Sequence, residues 1–266
     1  MIAVLLAAGR GSRLRELTAR KPKCLVEIAG KPLLRWQCEA LRGAGAARIL
    51  VVRGYLSHSL TPEAAGLEAG SFETVENPRW EQSNMLSSLL CAGPWLERAF
   101  TQGENAATIS YSDIVYPPEH VRALSACAEP LAVAYDLCWE QLWRLRFTDP
   151  LLDAETFRQT DGLLREIGGK PQNIAEVQGQ YMGLIRVTPH GWALIRQTCA
   201  ELGEAVARMD MTGFLRLLIG RGIRVGAVPV QGRWCEVDNQ EDLRRYEQAL
   251  RSESWPHDWR RCMVCA

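Results

Sequence analysis

A short apolar run, Ile2 to Leu6, leads directly into Ala7-Ala8-Gly9-Arg10-Gly11-Ser12-Arg13, and this junction restricts the fold more than any other part of the chain. An apolar run of this length closed by glycines reads as a buried strand ending in a loop. Glycines there let backbone N–H groups approach an anion without a Cβ in the way. The guanidinium of Arg13 can grip a phosphate with two parallel hydrogen bonds. Lys23 follows ten residues later, directly behind Pro22, and Gly30-Lys31-Pro32 opens an apolar helical stretch from Leu33. Lys23 is a mobile point charge suited to a phosphorus under attack. A strand, a glycine loop, two cations at fixed spacing and a helix together describe a site for the triphosphate of a nucleotide. Two other nucleotide sites are excluded. The P-loop requires Lys-Ser or Lys-Thr after its glycines, and none follows. The dinucleotide fingerprint requires a third glycine where Leu14 stands and an acidic residue ending a second strand, which Val51 to Arg53 do not supply.

Beyond this junction short β-type runs alternate with helical stretches, the pattern of a parallel or mixed α/β sheet. Strands are expected over Ile2–Leu6, Arg48–Arg53, Phe72–Glu76, Ala106–Ser110, Leu131–Tyr135, Gln180–Val187, Ile223–Val228 and Trp234–Val237. Helices are expected over Leu33–Gly43, Ser83–Cys91, Glu119–Ala126, Gly191–Leu202, Met211–Ile219 and Gln240–Arg251. Tyr135 to Lys170 is less regular and is expected to fold partly as strands over the sheet. No linker or repeat interrupts the chain, so residues 1–251 are expected to form one domain and 252–266 a C-terminal tail.

Hydrophobic residues make up 47% and charged residues 23% of the 266, and the formal net charge is zero. That composition supports a sizeable core and supplies no global field to draw the chain to nucleic acid or membrane. No apolar run approaches the roughly 20 residues that span a bilayer, and the N-terminus lacks a basic leader, so a cytoplasmic protein is expected. The nine cysteines read as free thiols rather than a disulfide framework. Cys262 and Cys265 have a zinc or redox spacing, but no second pair completes it.

In open α/β sheets ligands collect beyond the carboxyl ends of the strands, so reactive residues after the other strands matter. Asp113 follows the strand beginning at Ala106, and Asp238 follows the one beginning at Trp234. Two carboxylates from separate strand ends can share one Mg²⁺ whose remaining positions go to phosphate oxygens and water. Each has a plainer reading: Asp113 as a turn residue, Asp238 as the N-cap of the helix from Gln240. Asn84 similarly reads as a helix cap. Trp139 and Trp143 are four apart and would share a helix face, either as core or as part of a cage for a quaternary ammonium. Asp153 and Glu155 would share one face of a strand, either solvated or facing a primary ammonium.

The opening segment resembles the signature of the nucleotidylyltransferases that activate sugar phosphates and phosphocholine. The matching elements are Leu6-Ala7-Ala8-Gly9-Arg10-Gly11-Ser12-Arg13-Leu14, Leu17-Thr18, Pro22-Lys23-Cys24-Leu25 and Gly30-Lys31-Pro32-Leu33. The resemblance implies an α/β fold with a three-layer, Rossmann-like mixed sheet flanked by helices, of the nucleotide-diphospho-sugar transferase type. It implies attack of a phosphate or phosphonate oxygen on the α-phosphorus of a nucleoside triphosphate, with loss of pyrophosphate. Leu6, Ala7, Ala8, Gly9, Gly11, Ser12 and Ser112 would then bind nucleotide, Arg13 and Lys23 would be catalytic, and Asp113 and Asp238 would hold Mg²⁺. Further motifs resemble the phosphocholine and phosphonate cytidylyltransferases more than the sugar enzymes. They are Gly54-Tyr55-Leu56, the Asn84 to Leu89 element, Glu176 to Ile185, and Gly232 to Asp238. This branch implies CTP as donor, with Asn84, Ser87 and Ser88 at the base. It implies an acceptor of the phosphocholine, 2-aminoethylphosphonate or 2-hydroxyethylphosphonate type, bound by Glu176, Tyr181, Trp139, Asp153, Glu155 and Trp234. The alternatives are a sugar-1-phosphate nucleotidylyltransferase and a catalytically silent nucleotide-sensing relative. The presence of Lys23 and both aspartates argues against the silent relative. A homodimer is compatible with the sequence.

Overall fold

The computed structural model describes residues 1–261; Cys262 and Cys265 lie outside them. The described strands are β1 (Ile2–Ala7), β2 (Glu27–Ile28), β3 (Lys31–Pro32), β4 (Arg48–Arg53), β5 (Glu73–Glu76), β6 (Ala107–Tyr111), β7 (Ile114–Val115), β8 (Leu131–Asp136), β9 (Phe157–Thr160), β10 (Leu163–Ile167), β11 (Gln180–Val187), β12 (Val225–Val230) and β13 (Cys235–Glu236). Nine of them form one sheet in the order β5-β4-β1-β6-β11-β8-β12-β10-β9. The β5-β4-β1-β6 half is parallel. Strand β11 is antiparallel to both β6 and β8, which makes the sheet mixed. Two short antiparallel pairs, β2 with β3 and β7 with β13, stand apart from it.

The helices are α1 (Leu33–Gly43), α2 (Met85–Cys91), α3 (Gly93–Thr101), α4 (Pro118–Ser125), α5 (Trp139–Arg146), α6 (Pro189–Leu202), α7 (Met211–Gly220) and α8 (Gln240–Ala249). Side chains alternate across a strand, and both faces of β1 are covered. Ala3, Leu5 and Ala7 pack with residues of α1, α4, α5 and α8. Ile2, Val4 and Leu6 pack with residues of α2, α3, α6 and α7. The result is helices, sheet, helices, the three-layer architecture expected. No helix among the described residues is long and apolar enough to cross a membrane.

Three departures from expectation have local causes. Helix α3 begins at Gly93 with Pro94 in its first turn, where proline loses nothing by lacking an N–H. Helix α5 forms inside the stretch expected to be irregular, and β9 and β10 follow it. The expected strand Trp234–Val237 shortens to β13, which pairs only with β7. The segment after α8 docks through aromatic contacts. Trp255 stacks on Tyr246 and Trp259 meets Trp36 edge-on, each at 5.8 Å between ring centroids.

Candidate active site

The loop after β1 is shaped by Gly11. Its φ is +66°, and a Cβ there would lie 2.8 Å from the Cβ of Lys23. Glycine is therefore required both for the left-handed backbone and for the seating of Lys23. Behind Pro22 the chain makes one 3₁₀ turn, Lys23–Leu25, which buries the lysine stem. Its Nζ donates to Asp113 Oδ2 at 2.9 Å and to Asp238 Oδ1 at 3.0 Å. Burial alone would make this ammonium easier to deprotonate, but the carboxylates of Asp113 and Asp238 outweigh it and hold the pKa above the usual lysine value. The side chain of Arg13 is largely exposed, and its Nη2 donates to the same Asp238 oxygen at 3.1 Å.

The short β7/β13 ladder explains why two aspartates 125 positions apart meet. Strand β6 ends at Tyr111, and β7 then pairs antiparallel with β13, Ile114 opposite Glu236. The Val237 N–H donates to the Asp113 carbonyl at 2.8 Å. Carboxylate oxygens of Asp113, Glu236 and Asp238 consequently lie within 4.8 Å of one another. Asp113 Oδ1 is buried and has no hydrogen-bond partner among the described residues. An all-oxygen donor set with one orphaned carboxylate oxygen fits a hard divalent cation such as Mg²⁺.

Asp238 is not a helix cap. Asn239 caps α8, accepting from the Asp242 N–H at 2.9 Å, while the Asp242 carboxylate accepts from the N–H groups of Asp238 and Asn239. Asp238 Oδ2 instead accepts from Arg146 at 3.1 Å. Arg146 comes from α5, is 1% exposed at its side chain, and also reaches Glu236 at 3.0 Å and Asp242 at 3.2 Å. Burial would push the Asp238 carboxyl up, but Lys23, then Arg146 and Arg13, hold it below the usual range. Burial, with Asp238 beside it, pushes Glu236 up to about 7 against the pull of Arg146.

Two adjoining cavities flank this cluster. A smaller one, about 140 Å³, is lined by Leu6, Gly9, Gly11, Lys23 and Ser112 with Asp113, Met85 and Tyr111. A larger cleft, about 280 Å³, shares Met85 and Tyr111 and is lined by Arg13, Asn84, Trp143, Asp153, Glu155, Gln180, Tyr181, Asp210, Met211, Thr212, Glu236 and Asp238. The expected residues Leu6, Gly9, Gly11, Arg13, Lys23, Asn84, Ser112, Asp113, Asp153, Glu155, Tyr181 and Asp238 thus converge on this pair of cavities. Ala7 and Ala8 are buried at the strand end, and Ser12 is exposed on the loop.

Other expected residues are not brought to these cavities. Trp139 is 3% exposed and packs edge-on against Trp143 in the core. Trp234 is 1% exposed and gives its indole N–H to Asp136 Oδ2 at 2.9 Å. Glu176 is spent on a local turn, accepting from Gln172 N and Asn173 Nδ2, both at 2.8 Å. The Ser88 hydroxyl is buried and accepts from Asn77 at 3.0 Å. Ser87 faces a separate cavity of about 510 Å³ against α6, which Asn77 also lines.

Sequence reasoning missed Glu236, Arg146, Tyr111, Gln180 and Asp210. Glu236 had a signal, since it stands two residues before Asp238 and residues two apart share a strand face. Tyr111 and Tyr181 meet edge-on at 5.8 Å. Gly183, with φ +83° and a Cβ that would lie 2.8 Å from the Tyr111 ring, allows the irregularity in β11 that brings them together. Arg146 had no signal, because it sits in the stretch without periodicity.

Residues 3–170 match the MobA-like NTP transferase domain, and the chain belongs to that family. It is 34% identical over 250 residues to the CTP:phosphoglutamine cytidylyltransferase of Campylobacter jejuni, covering 91% of this chain and 98% of the relative. It is 26% identical over 259 residues to the UTP–glucose-1-phosphate uridylyltransferase AglF of Haloferax volcanii, covering 96% and 98%. Among solved structures, the inositol-1-phosphate CTP transferase from T. maritima superposes with a TM-score of 0.70 at 20% identity, covering 90% of each chain. The fold is therefore that of a nucleotidyltransferase, and the chain is a nucleotidyltransferase enzyme.

Proposed function

We propose that this nucleotidyltransferase moves CMP from CTP onto a small acceptor bearing an anionic phosphate-type oxygen, with a divalent cation at Asp113 and Asp238. The observation that carries the reading is the meeting of Lys23, Asp113 and Asp238 within hydrogen-bond distance beside the glycine loop. Its similarity to the phosphoglutamine enzyme along nearly the whole of both chains favours CTP as the donor.

Arg13 and the loop N–H groups would bind the outer phosphates of the nucleotide. Lys23 would hold negative charge as it builds on the α-phosphate, an electrostatic and positioning role. Asp113 and Asp238, with Glu236 beside them, would hold the cation, which when bound supplies charge neutralisation at the α-phosphate. The acceptor oxygen is already an anion and needs no general base. It forms a bond to the α-phosphorus as the bond to the bridging oxygen breaks, and pyrophosphate leaves with that electron pair. The smaller cavity, with Arg13 on the adjoining edge of the larger cleft, suits the nucleotide's phosphates, and the rest of the larger cleft suits the acceptor.

Pyrophosphate release, measured with Mg²⁺ for each of the four NTPs against phosphocholine, 2-aminoethylphosphonate, 2-hydroxyethylphosphonate and glucose-1-phosphate, tests this reading. Release with CTP and one of the first three acceptors is expected. Release only with the sugar phosphate would overturn it in favour of the sugar-activating branch.

A further inference from the structure

The larger cleft contains a second group of carboxylates that the cation site does not use. Asp153 and Glu155 follow α5, and Asp210 caps α7. Glu155 Oε1 and Asp210 Oδ1 each lie 3.4 Å from the Thr212 hydroxyl, so the two carboxylates are bridged by one side chain. None of the three has an ion-pair partner among the described residues. The charge of Arg216 acts on Glu155, but its guanidinium donates to the Gly168 carbonyl at 3.3 Å. Burial, then the charges of Asp210 and Asp153, push the Glu155 carboxyl above its usual range. Concentrating like charges in a half-buried cleft costs free energy unless a cation joins them.

A separate feature of the same cleft also points to a ligand. Trp143 lines it, is 4% exposed, and its indole N–H has no hydrogen-bond partner among the described residues. The Tyr181 hydroxyl is likewise buried; the Tyr111 hydroxyl donates toward it, and no acceptor for its own proton lies among the described residues. Buried donors without acceptors are rare and costly. The cleft thus offers carboxylates to a cation and two free donors to oxygen atoms.

We infer that Asp153, Glu155 and Asp210 form a subsite for a primary ammonium group, so that the acceptor is a phosphorylated or phosphonylated amine whose oxygens meet Trp143 and Tyr181. This rests on the reading of the cleft as the acceptor site. A primary ammonium has three N–H donors for three carboxylates. A quaternary ammonium has none and gains mainly from aromatic faces. The aromatic faces that line the cleft are largely engaged: Trp139 is turned into the core, the Arg146 guanidinium already lies 5.3 Å from the Trp143 ring centre, and Tyr111 and Tyr181 pack edge-on against each other at 5.8 Å. A sugar could donate hydroxyl hydrogens to these carboxylates but would leave their charge uncompensated.

The test compares kcat/KM for 2-aminoethylphosphonate, 2-hydroxyethylphosphonate and phosphocholine at saturating CTP, in the wild type and in Glu155→Gln and Asp153→Asn. The wild type should prefer the amine over the hydroxyl isostere by about tenfold or more, the size of one charge-assisted hydrogen bond. The preference should collapse toward unity in Glu155→Gln. Asp153→Asn changes an exposed residue and keeps the comparison available if Glu155→Gln does not fold, which thermal unfolding reports. Equal use of the amine and the hydroxyl isostere, or better use of phosphocholine, would overturn the ammonium subsite while leaving cytidylyl transfer intact. So would an unchanged preference in a folded variant. Turnover of none of the three with CTP would overturn both readings.

Discussion

Arg146 is the residue on which the acidic cluster depends, and Arg146→Met measures that dependence. The guanidinium is 1% exposed and binds Glu236, Asp238 and Asp242 at 3.0, 3.1 and 3.2 Å. Methionine fills much of the same space, so the change mainly removes charge. Leaving buried carboxylates without their cation costs roughly 3–5 kcal/mol. In a chain of this size about 1 kcal/mol shifts Tm by roughly 2–4 °C, so a fall of about 6–20 °C is expected at neutral pH. The loss should depend on pH with a definite sign. Without Arg146 the folded-state pKa of Glu236, already about 7, rises further above its unfolded value, and Asp238 loses one of the cations that hold its carboxyl low. A carboxyl raised in this way contributes stability that is complete below its unfolded pKa, about 4.3 for a glutamate. That contribution is lost as pH rises through the folded value. The gap between variant and wild type should therefore widen from pH 5.5 to pH 8. Arg146→Lys should recover only part of the loss, since an ammonium cannot reproduce the planar fork across these carboxylates. Thermal unfolding followed by circular dichroism at both pH values decides the matter. A variant within about 2 °C of the wild type at each pH would refute the claim that Arg146 neutralises the cluster.

Lys23→Ala should lower turnover by at least about a hundredfold, as loss of a preorganised charge-stabilising donor does, while the protein remains folded by circular dichroism; near-normal turnover would remove Lys23 from the chemistry. Gly11→Ala forces a non-glycine residue to φ +66° and places a Cβ 2.8 Å from that of Lys23, so stability should fall by on the order of 1 kcal/mol and turnover should fall with it; chemical denaturation and a turnover assay unchanged from wild type would contradict the seating role of Gly11. His120 is buried, and burial, then Arg233 and His257, lower its pKa to about 3; the unfolded chain takes up the proton first, so stability present above about pH 6.5 should be lost on acidification by up to about 1.4 kcal/mol per pH unit. His120→Asn should flatten that slope in urea titrations between pH 7 and pH 5, and an equal slope would be the contrary result. Glu155→Gln relieves like-charge crowding in a group whose pKa is raised, so it should raise Tm by about 1–3 °C at pH 7.5, the gain fading toward pH 4 as the wild-type carboxyl takes up its proton; a gain independent of pH would argue against the crowding.

The parts of the fold legible in the sequence are those the backbone decides locally. The run Ile2 to Leu6 and the glycines after it specify a strand buried on both faces and a loop that admits phosphates, and β1 has that form. The mixed sheet follows from the alternation of strand-like and helix-like runs. Helix α5 was not legible as a helix because Tyr135 to Lys170 has no sustained period, and its tryptophans fit a core stripe and a ligand cage equally well. Tertiary packing chose between those: Trp139 faces the core, and Trp143 reaches the cleft. Ser87 and Ser88 show the same limit at a smaller scale. Adjacent residues on a helix point about 100° apart, so Ser88 is buried against Asn77 while Ser87 opens onto the groove against α6 that Asn77 also lines.

At the site, residue types that do one chemical job were legible, and the charges that balance them were not. Lys23, Asp113 and Asp238 could be picked out because few other tasks call for those groups at strand ends and after a glycine loop. Their arrangement depends on β7 and β13, a ladder of two residues on each side, too short to leave a pattern. The balance depends on Arg146, which stands 92 positions before Asp238. A lone arginine in an aperiodic stretch looks like a surface residue until the fold places it among acids. The same asymmetry separates the carboxylates of the cation site from the acidic group of the larger cleft. Asp113, Glu236 and Asp238 are accompanied by Lys23 and Arg146, so a cation arriving there meets carboxylates that are already partly neutralised. Asp153, Glu155 and Asp210 have no such company among the described residues. If the acceptor carries the ammonium inferred above, only the second group would be relieved by the acceptor itself, and the charge of the acceptor would then be what that half of the cleft selects.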